Sequence, residues 1–162
     1  MVTVREYLPS DLRGMMDIWN EIVEKGEAFP QENTLNLDEA AAFFGSQSFC
    51  GVAEDENGSI VGLYILHPNN VGRCGHIANA SYGVKSDCRG RHIGEALVTH
   101  CLKMCKELSF GILQFNAVVA TNEAALKLYK KLGFTQLGVI PNGFRRKDGS
   151  YQDIIPHYIT IK

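Results

Sequence analysis

At 162 residues the chain is long enough for one domain with a substantial core and too short for two ordinary ones. An apolar fraction of 45% beside 21% charged residues is that of a folded globular protein and excludes a disordered one. The formal net charge of −2 gives no reason to expect nucleic acid or an acidic membrane as the main partner, and no apolar run approaches the roughly 18 residues of a membrane span.

Residues 1–6 enter an alternating pattern without signal-peptide character, so a cytoplasmic protein is expected. Residues 2–7 read as a strand. Pro9-Ser10-Asp11 then supplies a helix start with Ser10 as its N-cap, and Leu12, Met15, Met16, Trp19, Ile22 and Val23 follow at helical spacing. Gly26 ends that helix, 27–32 is a loop, and 37–45 is a second, short helix. Ser48–Glu54 and Ser59–Leu66 are β-rich runs joined by a turn in which Asn57 and Gly58 both tolerate positive φ, a strong hairpin signal. A turn-rich stretch at 67–72 leads to a fourth strand at 76–84 and a helix at 93–108, apolar at Ile93, Leu97, Val98, Cys101, Cys105 and Leu108. A strand at 112–119, a helix at 122–132 and a strand at 134–140 follow. A polar loop with an Asp148-Gly149 turn then leads to a last strand at 157–161.

The pattern describes one mixed α/β domain over 1–162, with no repeat and no linker. Five cysteines, an odd number without a C-x-x-C pair, argue for reduced thiols rather than a disulfide framework. Cys101 and Cys105 read as small apolar packing residues, and no metal is expected.

The most informative segment is Tyr82-Gly-Val-Lys-Ser-Asp-Cys-Arg-Gly-Arg-His-Ile-Gly-Glu-Ala-Leu97. A strand ends, a basic glycine-containing turn follows, and an amphipathic helix begins. The first turn of a helix exposes unpaired N–H groups at the positive end of its dipole. Gly90 and Gly94 let the backbone approach a phosphate closely, and Arg89 and Arg91 add charge.

Arg89-Gly-Arg-His-Ile-Gly94 resembles the R/Q-x-x-G-x-G/A signature of the GNAT acetyltransferase superfamily, whose turn holds the pyrophosphate of CoA. His92 departs from it, standing where the family has its first glycine. A side chain is tolerated there on a backbone near helical φ, and an imidazole is itself able to meet a phosphate. Asn122-Glu-Ala-Ala-Leu-Lys-Leu-Tyr-Lys-Lys-Leu-Gly-Phe134 looks like the family's N-x-x-A-x-x-x-Y-x-x-x-G-F element. Asn122, Ala125 and Tyr129 stand three and four apart and share one helix face. Residues 18–32 and the tail 140–153 resemble members that acetylate amino-acid-like molecules, namely the phosphinothricin and proline-analogue acetyltransferases.

The resemblance implies an α/β fold with a central, mostly antiparallel sheet of about seven strands, splayed between the fourth and fifth and flanked by about four helices. It implies direct attack of a neutral amine on acetyl-CoA, with no acyl-enzyme and no use for Cys88 as a nucleophile. Acetyl-CoA would be held by Tyr82, Gly83 and Val84 on the fourth strand and by Arg89, Gly90, Arg91, His92, Ile93, Gly94 and Glu95 at the turn. Asn122, Ala125 and Tyr129 would complete that site, with Tyr129 protonating the departing sulfur. Glu27, in the loop expected to cap the acceptor, is the first candidate base, with ordered water as the alternative; His76 lies too far along the fourth strand. Glu27, Phe29, Asn79, Tyr82 and Asn116 are the candidates for the acceptor pocket, and a carboxylate-binding role for Arg145 is open beside a solvated hairpin tip. The expected partner is a small, amino-acid-like amine, with peptide acetylation or non-catalytic acyl-CoA binding as alternatives and a homodimer left open.

Overall fold

A computed structural model describes residues 1–162. In chain order it contains β1 (Thr3–Glu6), α1 (Leu12–Lys25), α2 (Leu37–Gly45), β2 (Phe49–Glu54), β3 (Ile60–Pro68) and β4 (Ile77–Val84). These are followed by α3 (Ile93–Glu107), β5 (Ile112–Val119), α4 (Glu123–Lys131), β6 (Thr135–Gln136), β7 (Ile140–Arg145) and β8 (Tyr151–Thr160). The sheet runs β1-β2-β3-β4-β5-β8-β6, with β7 also on β8. Only β4 and β5 pair in parallel; every other pairing is antiparallel.

Period-two alternation divides the core between the two faces. Leu63 and Ile65 of β3 face Met15, Ile18, Trp19 and Ile22 of α1 and Phe44 of α2. Tyr64 and Leu66 face the other way, where Leu97, Val98, Cys101 and Cys105 of α3 pack with Leu113, Phe115 and Phe134. The helix stop at Gly26 and the hairpin turn at 57–58 stand where expected, the latter with positive φ at Gly58 and not at Asn57. Gly26 closes α1 at φ 63°, and Gly58 at φ 78° turns β2 into β3 while the Asp55 carboxylate accepts from the Asn57 and Ser59 N–H groups.

Three expectations are corrected. Ser10 is not an N-cap: residues Pro9–Asp11 form a 3-10 turn, and the Asp11 carboxylate accepts from the Leu8 N–H at 2.7 Å while forming a two-pronged pair with Arg5. The strand expected at 134–140 is broken into β6 and β7. The polar stretch after it is a hairpin, with β8 already begun at Tyr151. Its turn is closed by Arg146 N–H to Ser150 O and Gly149 N–H to Arg146 O, with Gly149 at φ 86°. Residues 140–145 are exposed except Phe144, so the apolar alternation that marks a buried strand is missing. Pro156 lies inside β8 opposite the register shift between Phe115 and Val118, the bulge position at which a strand tolerates proline.

Candidate active site

The site begins where the sheet stops. Parallel pairing between β4 and β5 is confined to Ile77 with Ile112, Ala78 with Leu113 and Asn79 with Gln114. Beyond that point β4 continues to Val84 and β5 to Val119 without backbone pairing, and the Asn79 side-chain amide donates to the Gln114 carbonyl at 3.0 Å where the ladder ends. On its other side β4 remains paired with β3 as far as Val84. Asn69 N–H donates to Ile77 O and Lys85 N–H to Val61 O, which fixes the odd residues of β4 as the hydrogen-bonded partners of β3. Antiparallel alternation then turns the N–H and C=O of Ala80, Tyr82 and Val84 toward the gap. Gly83 differs from its neighbours: its backbone belongs to β3, and a Cβ there would lie 2.7 Å from Ile22 Cδ1, so it serves the close seating of α1.

A cavity of about 170 Å³ lies in the gap, walled by Ala28, Phe29, Pro30, Asn79, Tyr82, Asn116, Asn122, Ala125 and Tyr129 among others. No lining residue is ionisable at neutral pH. Phe29 is buried against Trp19 with ring centroids 4.5 Å apart, which anchors the loop after α1. The Asn122 side-chain oxygen accepts from Ala125 N–H at 3.2 Å as the cap of α4, leaving its amide hydrogens for the cleft. Asn116 donates to Asn69 at 2.7 Å and accepts from Gln114 at 3.0 Å, so it belongs to a polar string across the mouth.

Tyr129 sits in an aromatic cage with Phe115 at 4.6 Å, Phe134 at 5.3 Å and His157 at 5.6 Å between centroids. Burial pushes its phenol above the ordinary value, so it remains protonated at neutral pH. His157 is 1% exposed, carries Nδ1 2.7 Å from Ile155 O and has no partner at Nε2. Sequence reasoning passed it over, although it is a lone imidazole in an otherwise apolar stretch of β8.

At the far end of β4, Cys88 is buried and Arg89, Gly90, Arg91 and His92 are exposed. His92 is the N-cap of α3 but makes no capping bond, so the N–H groups of Ile93, Gly94 and Glu95 have no partner from the cap side chain. Glu95 would repel an anion here, but Lys131 neutralises it at 2.8 Å to both oxygens. The backbone at His92 is not near helical φ as expected: it is left-handed, at φ 58°, the conformation that a glycine adopts without cost.

Two further site expectations change. The Tyr82 ring turns into the core, 5.8 Å from Tyr64 and 5.6 Å from Phe115, and its hydroxyl is buried, so only its backbone faces an acceptor. Glu27 is exposed and forms no part of the cavity wall, although Ala28, Phe29 and Pro30 beside it do.

A recessed, unpaired strand edge leading to a basic helix N-terminus fits a long, thin ligand with amides along its arm and phosphates at one end, as acetyl-CoA has. Residues 12–134 match the acetyltransferase (GNAT) family, and the chain belongs to that family. It is an acetyltransferase whose acetyl donor is acetyl-CoA. Among its relatives, the N-acetyltransferase aca1 of Schizosaccharomyces pombe is 30% identical over 146 residues, 79% of this chain and 69% of that one. The L-methionine sulfoximine/L-methionine sulfone acetyltransferase of Pseudomonas aeruginosa is 25% identical over 158 residues, 94% and 90% of the two chains. The solved phosphinothricin acetyltransferase of Sinorhizobium meliloti in complex with acetyl-CoA shares the fold, with a TM-score of 0.91 over 99% of this chain and 88% of that one, at 22% identity.

Proposed function

We propose that the chain moves the acetyl group of acetyl-CoA to the neutral amine of a small, amino-acid-like molecule. The observation that carries this reading is the closure of the acceptor side. The β7–β8 hairpin reaches back onto the end of α1 and its loop, where Lys147 Nζ donates to Glu24 O at 3.1 Å and Arg145 pairs with Glu32. A peptide would need that groove open. The substrates named for the Pseudomonas and Sinorhizobium relatives, methionine sulfoximine, methionine sulfone and phosphinothricin, are amino acids of this size.

Acetyl-CoA supplies an activated thioester when bound. In this reading the N–H groups of Ile93, Gly94 and Glu95, with Arg89 and Arg91, receive its phosphates, and the backbone of Tyr82 and Val84 pairs with its amide-bearing arm. The free amide hydrogens of Asn122 add a contact beside small Ala125. The un-ionised cleft wall favours a neutral amine over an ammonium, and the amine proton leaves to water. Tyr129 holds a proton at its hydroxyl for the departing sulfur.

The test is thiol release from acetyl-CoA over amino acids, amino-acid analogues, simple amines and peptides, with the Tyr129→Phe variant alongside. Turnover with small amines is expected, and Y129F lowers kcat by about a hundredfold with CoA affinity unchanged. Release with peptides alone, or undiminished turnover by Y129F, overturns the respective part.

A further inference from the structure

A second cavity of about 550 Å³ adjoins the first, with Phe29 and Pro30 in the walls of both. The loop after α1 and the β7–β8 hairpin form its sides, and it brings together Gln31, Glu32, Arg145, Arg146 and Lys147. The three consecutive cations are not equivalent. Arg145 is neutralised by Glu32, and Lys147 is spent on the Glu24 carbonyl. Arg146 is half-buried and forms no ion pair; Asp148, two residues on, is held instead by the N–H and hydroxyl of Ser150. Among the three cations of this wall only Arg146 has no partner, so its guanidinium donors are free for an anion entering the cavity.

Resting on the small-amine reading above, we infer that this cavity binds the carboxylate of the acceptor, with Arg146 as its anchoring cation. The amine then points past Phe29 and Pro30 toward the gap between β4 and β5. The guanidinium fork matches a carboxylate with two parallel N–H donors, which a lysine cannot reproduce. The expectation that Arg145 plays this part is thereby moved one residue along the chain, to the cation without a partner.

Calorimetry with CoA-saturated protein tests the inference without turnover. The probes are L-methionine sulfone and 3-(methylsulfonyl)propan-1-amine, which differ only by the carboxylate. The wild type is expected to bind the amino acid about tenfold or more tightly than the amine. Arg146→Gln removes the preference, and Arg146→Lys, which keeps the charge and guards against a folding defect, restores part of it. A wild type without preference, absence of binding included, or a preference that survives R146Q, overturns the assignment. Thiol release with either probe is read separately, so loss of the Arg146 role leaves the small-amine reading standing wherever turnover persists.

Discussion

His92 carries a side chain at φ 58°, where most residues other than glycine are strained by roughly 1 kcal/mol and β-branched residues by more. Its backbone rather than its imidazole starts α3, since no capping bond comes from the ring. Replacement by glycine is therefore expected to leave stability within about 1 kcal/mol, because relief of strain is offset by the greater freedom of the unfolded chain. His92→Val is expected to cost about 1–2 kcal/mol, read as a shift in the urea midpoint. Equal stability of the two variants would show that the left-handed conformation is not enforced. CoA affinity should follow the same order, since the turn presents its N–H groups only when the helix begins at Ile93. Arg146 teaches a related lesson: the sequence pointed to Arg145, and only the pairing of Arg145 with Glu32 separates the two.

The elements meet at glycines. A Cβ on Gly62 of β3 would lie 3.0 Å from Ile93 Cγ2, 3.1 Å from Leu97 Cδ1 and 3.2 Å from the Gly83 carbonyl oxygen. The two side chains can yield a little, but the carbonyl cannot move without β4. Gly62→Ala should cost about 1–3 kcal/mol by overpacking. Because Ile93 is the first residue of α3, it should also weaken CoA binding several-fold, a joint loss measurable by denaturant titration and calorimetry. Loss of stability with intact affinity would separate α3's packing from the anion turn. Most elements were legible in the sequence because helical spacing and turn residues mark them locally. Gly26, Gly58 and Gly133 act through their own φ, which no distant contact decides. The Asp148-Gly149 turn was marked, but β7 before it was hidden because residues 140–145 are solvated except at Phe144 and so carry no alternation. The acceptor side was hidden for a different reason. Glu27 and Arg145 have the right chemistry, but whether each faces a cavity, the solvent or a neutralising partner depends on a contact between loops more than a hundred residues apart. The gap between β4 and β5 was expected only through family resemblance; nothing in the composition of either strand announces it.

At the scale of the molecule, two imidazoles tie stability to pH. His157 is held below its ordinary value by burial, as is His100, whose Nδ1 lies 2.8 Å from the Tyr64 hydroxyl. The unfolded chain therefore takes up protons first as the pH falls through the usual histidine value of about 6.5. Stability is full above that value and declines below it. The urea midpoint is expected to drop between pH 7.5 and 5.5, and His157→Leu should shrink the drop. An unchanged decline in that variant would remove His157 from the account.

The interrupted sheet has one more consequence. An unpaired strand edge ordinarily sits at the rim of a protein, where it invites neighbouring chains to add strands and aggregate, and where charges, prolines or bulges must guard it. Here such an edge lies in the interior, at the side of a wedge that closes at Asn79 and Gln114. A polypeptide strand inserted between β4 and β5 would need close to 10 Å of clearance, two strand spacings of about 4.8 Å each. At its closed end, where the Asn79 amide bonds to the Gln114 carbonyl, the wedge has no such clearance. The edge can therefore stay unpaired until a slender donor fills it, because the shape that receives such a ligand leaves no room for an added strand at its closed end.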